Sequence, residues 1–231
     1  MKIDKQGYLI QVVDVGQFNT GCHSVNNKGE LLYLKMEKVI NCNVNEENFI
    51  DISKTTASCT GKWVAWCIYC SKINDEILIG LHNEEAKGNV HRYDQHGKFK
   101  EEIDGENSLC KPLYMTENYN GDIIVSDAGK RAVIGVKKDK EIFQYKRKSA
   151  WKIFPTGVCT DKSGCILVCI YEDNESNIHL LSKNGEFLKK MLRKEDCAFG
   201  PCAICIVDDL LYLGQESCQD IQVYEINRES N

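Results

Sequence analysis

Residues 155–192 read PTGVCTDKSGCILVCIYEDNESNIHLLSKNGEFLKKML. An apolar stretch, a polar turn, the run ILVCI from Ile166, a polar loop, the stretch IHLLS, the turn KNGE and a last stretch follow one another. The stretches are short, rich in β-branched and aromatic residues, and bounded by turn formers. This is the pattern of strands in an antiparallel meander, without the 3.6-residue spacing of helices. The glycine of KNGE suits a tight hairpin connection.

Working outward, the run at Ile166 recurs as LLYLK from Leu31, ILIGL from Ile77, IIVSD from Ile123 and LYLGQ from Leu211, with starts 46, 46, 43 and 45 residues apart. A period of this length with four strands per unit is that of β-propeller blades. The turns QHGK and YNGD repeat the glycine of KNGE. Pro112, Pro155 and Pro201 share one phase, just before the first strand of a unit, where a missing amide costs no ladder hydrogen bond. Phe49, Phe99, Phe143 and Phe187 anchor the last strands, 18 to 22 residues after each second-strand start.

The fold class expected is all-β: one propeller of four-stranded antiparallel blades over residues 1–231. The blades fall at about 17–57, 62–104, 112–146, 155–192 and 201–228. The fifth unit has no last-strand anchor before Asn231, while DKQGYLIQVV (4–13) resembles SKNGEFLKKM (182–191) without preceding strands of its own. Residues 4–13 are therefore expected to supply the outer strand of the fifth blade and close the ring, which removes exposed sheet edges.

With 17 glycines, 3 prolines and no long polar or charged stretch, nothing in the sequence marks a linker or a second domain. A net charge of −5 argues against a surface built as a whole to neutralise phosphates. The start MKIDKQGYLIQ lacks the apolar core of a signal peptide, and no run reaches the length of a membrane helix. The expectation is a soluble, cytoplasmic chain with no membrane partner. Thirteen cysteines, an odd number, are read as reduced thiols. The pairs Cys67/Cys70 and Cys202/Cys205 have CxxC spacing, but they sit in the strand-like runs WCIYC and CAIC without the glycine turn of a zinc knuckle, so they are read as small buried hydrophobes.

The units, above all PTGVCTDKSGCILVCIYEDNESNIHLLSKNGEFLKKML and NGDIIVSDAGKRAVIGVKKDKEIFQY, resemble NHL repeats. With WVAWCIYCSKINDEILIG, the chain resembles, over essentially its whole length, the C-terminal propellers of tripartite-motif (TRIM) ubiquitin ligases, in particular their expanded invertebrate forms. It departs from the pattern at the aspartate that closes the second strand. That residue is kept as Asp127 and replaced by Lys35, Leu81, Ile170 and Gln215 elsewhere. Such propellers commonly have six blades, so five suggest a shortened ring or a longer parent. The resemblance implies the recognition half of a ligase whose activity resides in a RING, B-box and coiled coil, none of which is present here. It implies no enzyme activity for this chain. The partner expected is a protein or ubiquitination substrate, with structured RNA as the alternative.

A hydrolase reading rests on propeller lactonases that hold a metal with Glu, Asn and Asp. Glu117, Asn118 and Asp161 stand at first-strand ends, but other units supply no convergent set, and polar residues there are ordinarily turn formers. The five histidines, His23, His82, His91, His96 and His179, are read as lying at different phases of the repeat. No phosphate-cradling glycine motif appears, and no cofactor or metal is expected.

Propeller function usually sits on the loops of one face. DAGKR is the second-to-third-strand loop of the third unit, and KRKSAWK connects the third unit to the fourth. Lys130, Arg131, Lys146, Arg147, Lys148, Trp151 and Lys152 are expected to cluster as a partner-binding surface, where an aromatic beside cations suits an acidic peptide or a base. Glu172, Asp173, Glu175, Glu216 and Asp220 would give the same face an acidic sector, which favours protein over RNA. Trp63 and Trp66 are expected to pack in the core.

Overall fold

The computed structural model describes residues 2–3, 9–11, 23–35, 38–42, 49–56, 62–146, 153–172, 175–192, 200–215 and 220–226. Strands β1 (Lys2–Ile3) and β2 (Leu9–Gln11) form a hairpin. The first blade holds β3 (His23–Val25), β4 (Leu31–Lys35), β5 (Lys38–Asn41) and β6 (Ile50–Asp51), followed by the one-turn helix α1 (Ser53–Thr56). The second holds β7 (Trp63–Cys70), β8 (Ile77–Asn83), β9 (Gly88–Tyr93) and β10 (Phe99–Ile103). The third holds β11 (Pro112–Glu117), β12 (Ile123–Asp127), β13 (Ala132–Lys137) and β14 (Lys140–Tyr145). The fourth holds β15 (Phe154–Thr160), β16 (Ile166–Glu172), β17 (Glu175–Leu181) and β18 (Phe187–Lys190), and the fifth holds β19 (Pro201–Val207), β20 (Leu210–Gln215) and β21 (Gln222–Glu225). Every pairing is antiparallel, and the five sheets stand in a ring as a five-bladed propeller. First strands pack in sequence: β7 on β3, β11 on β7, β15 on β11 and β19 on β15.

The second strands show why their sequence runs are apolar throughout rather than alternating. Successive side chains of a strand point to opposite faces, and each middle blade is covered on both. Ile77, Ile79 and Leu81 enter the core shared with the first blade, beside Leu32, Leu34 and Val39, while Leu78 enters the core shared with the third. Ile123 and Val125 face the second blade and Ile124 the fourth. Ile166, Val168 and Ile170 face the third blade, whereas Leu167 and Cys169 face Leu211 and Leu213 of the fifth. Each fully buried aliphatic side chain contributes about 1.5–3 kcal/mol.

Six hairpins share one turn design. A polar residue accepts N–H bonds from the residues two and four ahead, and the residue three ahead takes positive φ. Asn118 Oδ1 accepts from Asn120 and Asp122 with Gly121 at φ 76°, and Asp161 Oδ1 accepts from Ser163 and Cys165 with Gly164 at φ 85°. Asp94 with Gly97, Ser182 with Gly185 and Asn26 with Gly29 repeat it. Asn83 does the same with Ala86 at φ 60°, where a Cβ meets the local carbonyl at a cost glycine avoids. The β13–β14 hairpin instead turns on Lys138 and Asp139, at φ 46° and 63°, a two-residue connection without glycine.

The expected closing strand is corrected in part. Within 4–13, only Leu9–Gln11 are described, and β2 pairs with β1 rather than with β21; the fifth blade has three strands among the described residues. The register gives the reason. Ile3 pairs with Leu9 and Lys2 with Gln11, as Leu181 pairs with Phe187 and Leu180 with Lys189, and as Tyr93 pairs with Phe99 and Arg92 with Glu101. β1 and β2 thus pair in the register that third and fourth strands use in the blades, as a two-stranded sheet of their own.

Candidate functional site

The third blade brings Lys130, Arg131 and Lys146 to one end. Lys130 and Arg131 lie in the β12–β13 loop and are exposed. Lys146 is exposed just past β14, and the register Val133↔Tyr145 sets it across from Ala132, next to Arg131. Arg147, Lys148, Trp151 and Lys152, the other members of the expected surface, lie outside the described residues.

Asp127 builds this end. It is fully buried, and its carboxylate accepts the backbone N–H groups of Cys110 at 2.8 Å, Lys111 at 3.0 Å and Lys130 at 2.8 Å. One side chain therefore fixes the connection from the second blade and the β12–β13 loop together. The chain packs so closely there that a Cβ at Gly129 would lie 2.2 Å from Cys110 Sγ. The aspartate that the NHL-like pattern singles out is a loop clamp, and its negative charge is spent on amides.

Lys111, held by this clamp, extends its ammonium over the ring of Trp66, 4.1 Å from the centroid, and the imidazole of His82 tilts against the same indole at 5.0 Å. Burial pushes the His82 pKa below the ordinary histidine value, with the backbone at Asn83 acting in the opposite sense. Trp63 packs against the core between the first two blades, as expected, but Trp66 does not follow it. A register shift between Ala65 and Cys67 puts Ala65 in the core shared with the first blade and Cys67 in the core shared with the third, with the Trp66 indole half-buried between them.

Among the described residues, no carboxylate stands at ion-pairing distance from Lys111, Lys130, Arg131 or Lys146. The hairpin end of the same blades differs. Arg92 pairs with Glu76 at 2.7 Å and Glu101 at 2.9 Å, Lys100 also pairs with Glu76, and Lys137 pairs with Asp122 at 3.1 Å. Burial raises the Glu76 pKa, but hydrogen bonds from Lys100 and Arg92 outweigh it and hold the carboxyl below its ordinary value.

The acidic sector expected on the loop face is smaller than the sequence suggests. Glu172 is buried, with Lys190 at 2.6 Å and His179 Nε2 at 3.4 Å. Glu175 and Asp220 are exposed, and Asp173 and Glu216 lie outside the described residues. The histidine reading is also corrected, because His91 pairs with Ile79 and His179 with Val168, which is one phase of the repeat. Both are buried, and each ring meets the last-strand phenylalanine edge-on at 5.2 Å, Phe99 or Phe187. Each Nδ1 lies near a hydroxyl of the preceding blade: Thr55 Oγ1 at 3.3 Å from His91, and Tyr145 OH at 2.9 Å from His179. They tie neighbouring blades together in two separate seams. Their separation of 88 residues, two periods, is the signal that marks the pair.

Of the residues weighed for metal hydrolysis, Asn118 and Asp161 are occupied as turn acceptors. Glu117 is buried, and burial raises its pKa. Cys67 and Cys70 lie in the second blade and Cys202 and Cys205 in the fifth, which are not neighbours. Among the described residues, no three His, Cys, Asp or Glu side chains gather as metal ligands would.

No protein-family model matches the chain, and no curated protein does. Solved structures do. A protein of unknown function from Bacteroides caccae aligns with a TM-score of 0.66 at 12% identity, covering 89% of this chain and 77% of that one. A chain of the nidogen/laminin complex aligns at 0.64 and 13% identity, covering 85% and 74%. A gluconolactonase from Xanthomonas campestris aligns at 0.59 and 9% identity, covering 84% and 68%. What these likenesses share with this chain is the β-propeller fold.

Proposed function

We propose that the chain is a non-catalytic, cytoplasmic protein-binding module that holds an acidic segment of its partner on the loop end of the third blade. It would serve as the recognition part of a TRIM-NHL-like ubiquitin-ligase system. The observation that carries the reading is the set of exposed cations Lys130, Arg131 and Lys146 fixed at one blade end with no carboxylate among the described residues to neutralise them. The NHL-like repeats support the ligase context, and the nidogen/laminin neighbour is a propeller in a protein complex. Arg147, Lys148, Trp151 and Lys152, expected from the sequence to share this surface, lie outside the described residues. The lactonase alternative draws on fold likeness alone, and the described carboxylates weighed for it are turn acceptors or buried.

Capture of partners by the purified chain, with and without ribonuclease and identified by mass spectrometry, tests the proposal. Partners should survive ribonuclease and be lost with the variant Lys130→Glu/Arg131→Glu/Lys146→Glu. Loss of every partner on ribonuclease treatment would replace the reading with RNA recognition.

A further inference from the structure

Where the fourth strand of one blade meets the third-to-fourth-strand turn of the next, the seam between the second and third blades is built differently from its neighbours. Phe49, just before β6, packs into the core shared by the first and second blades, and Phe143 of β14 packs into the core shared by the third and fourth. Each lies on the turn glycine of the next blade: a Cβ at Gly97 would meet the Phe49 carbonyl oxygen at 2.8 Å, and one at Gly185 would meet the Phe143 ring at 2.1 Å. Between the second and third blades both halves of this joint are replaced. By register, Glu101 opposite Arg92 takes the place that Phe143 opposite Gly135 has in the third blade, and the turn carries Lys138 and Asp139 in place of glycine. Phe99 turns instead to His91 and Tyr93 of its own blade, at 5.2 and 5.6 Å. A cleft of about 370 Å³ remains, against about 160 Å³ at the corresponding place between the first and second blades, where Phe49 lines it.

The larger cleft has an apolar floor of Ile103, Ile123 and Val136, all buried. Its rim carries charge of both signs. Arg92 with Glu101 and Lys137 with Asp122 neutralise each other. Lys138 and Asp139, both exposed, do not: among the described residues Lys138 makes no ion pair, and Asp139 spends one oxygen on the amides of Asp104 and Gly105, at 2.9 and 3.0 Å, leaving the other unengaged. We propose that this cleft binds a free aromatic amino acid, with its ring on the apolar floor, its carboxylate on Lys138 and its ammonium on the open oxygen of Asp139. The volume is that of a small-molecule site. The ring takes the part that Phe49 and Phe143 play in the adjoining seams. Opposite charges on two successive turn residues match the two charges on one α-carbon, whereas an aromatic acid or amine would satisfy only one of them. The cleft lies at the hairpin end of the third blade, away from the loop-end cations, so it stands apart from the partner-binding surface.

Ligand-observed NMR titrations of the full chain with L-phenylalanine, 3-phenylpropionate, phenethylamine and L-alanine test this. L-phenylalanine should bind saturably, about threefold tighter than either singly charged analogue, as one exposed ion pair contributes. It should bind at least about tenfold tighter than L-alanine, which lacks the ring. Lys138→Ala should lower L-phenylalanine to the affinity of phenethylamine and leave phenethylamine unchanged, which also shows that the variant is folded. Arg92→Gly/Glu101→Phe, which sets a ring where the third blade has one, should abolish binding while the chain keeps its sheet signal in circular dichroism. No saturable binding of L-phenylalanine, equal affinity for L-alanine, or undiminished binding in Lys138→Ala overturns the site. Equal affinity for 3-phenylpropionate overturns the amino-acid assignment in favour of an aromatic acid.

Discussion

The two ends of the third blade are built from the same strands and carry similar numbers of lysines, yet they differ in how their carboxylates are used. At the hairpin end Lys137 meets Asp122, and the neighbouring Arg92 and Lys100 share Glu76. At the loop end the available carboxylate, Asp127, is buried and consumed by three amides, and Lys130, Arg131 and Lys146 stand exposed. A chain with a net charge of −5 has acids to spare. Lys138 at the hairpin end also stands exposed without an ion pair among the described residues, so what sets the loop end apart is three exposed cations gathered on one pair of adjoining segments, beside a carboxylate that is already engaged.

Asp127→Ala should have the largest effect on that comparison. It leaves three amides of two packed segments without their charged acceptor, at about 1.5–3 kcal/mol for a hydrogen bond to a charged group and less where water replaces it. A loss of about 2–4 kcal/mol in denaturant unfolding is expected, and Asp127→Asn should recover part of it. A change within about 0.5 kcal/mol, ordinary for a surface substitution, would show that the loop end is not held by this clamp.

Acid should be the next largest perturbation, acting on the blade seams rather than the blade ends. Burial lowers the His91 pKa, partly offset by Glu102, so the unfolded chain binds this proton more readily than the folded one. Stability is then fully present above the ordinary histidine value and falls as pH drops through it toward the lowered pKa. Urea midpoints between pH 7.5 and 5 should decline, and His91→Gln should flatten the decline. A parallel slope in the variant would remove His91 from the explanation.

Charge reversal separates the ends more finely. Lys137→Glu sets a carboxylate against the buried Asp122 and should cost about 1 kcal/mol, while Lys130→Glu breaks no ion pair and should stay within about 0.5 kcal/mol. Equal losses by thermal unfolding would mean that the loop-end cations are also structural. The smallest effect belongs to Ala86→Gly, which relieves a positive φ at the turn position that is glycine in the other hairpins of this design. A gain of about 0.5 kcal/mol is expected after the added flexibility of the unfolded chain is offset.

The sequence makes the blades legible because a sheet sandwiched between two others must be apolar on both faces. That is why ILIGL, IIVSD and ILVCI stand out at a fixed period. Glycine marks the turns at Gly97, Gly121 and Gly185, but Ala86 and the pair Lys138–Asp139 adopt the same backbone region without it, so those turns are silent in composition. The N-terminal likeness to residues 182–191 falls on a strand, Leu9–Gln11, but not on its partner, because the two residues Lys2–Ile3 that pair with it carry no pattern. Lys130, Arg131 and Lys146 are legible in the sequence as loop cations, whereas the contacts of Trp66 with Lys111 and His82 are not, since the Ala65/Cys67 irregularity beside the indole depends on how small side chains fill the core. Glu172 reads as part of an acidic loop, yet it is buried because Lys190, from the next strand but one, reaches it.

Binding of the protein captured by the wild-type chain, measured side by side for Lys130→Glu/Arg131→Glu/Lys146→Glu and for Lys137→Glu/Lys140→Glu, tests the central claim most directly. The loop-end variant should lose at least about tenfold in affinity, the equivalent of 1.4 kcal/mol, and the hairpin-end variant should bind like the wild type. Equal loss in both variants, or loss confined to the hairpin end, would contradict it.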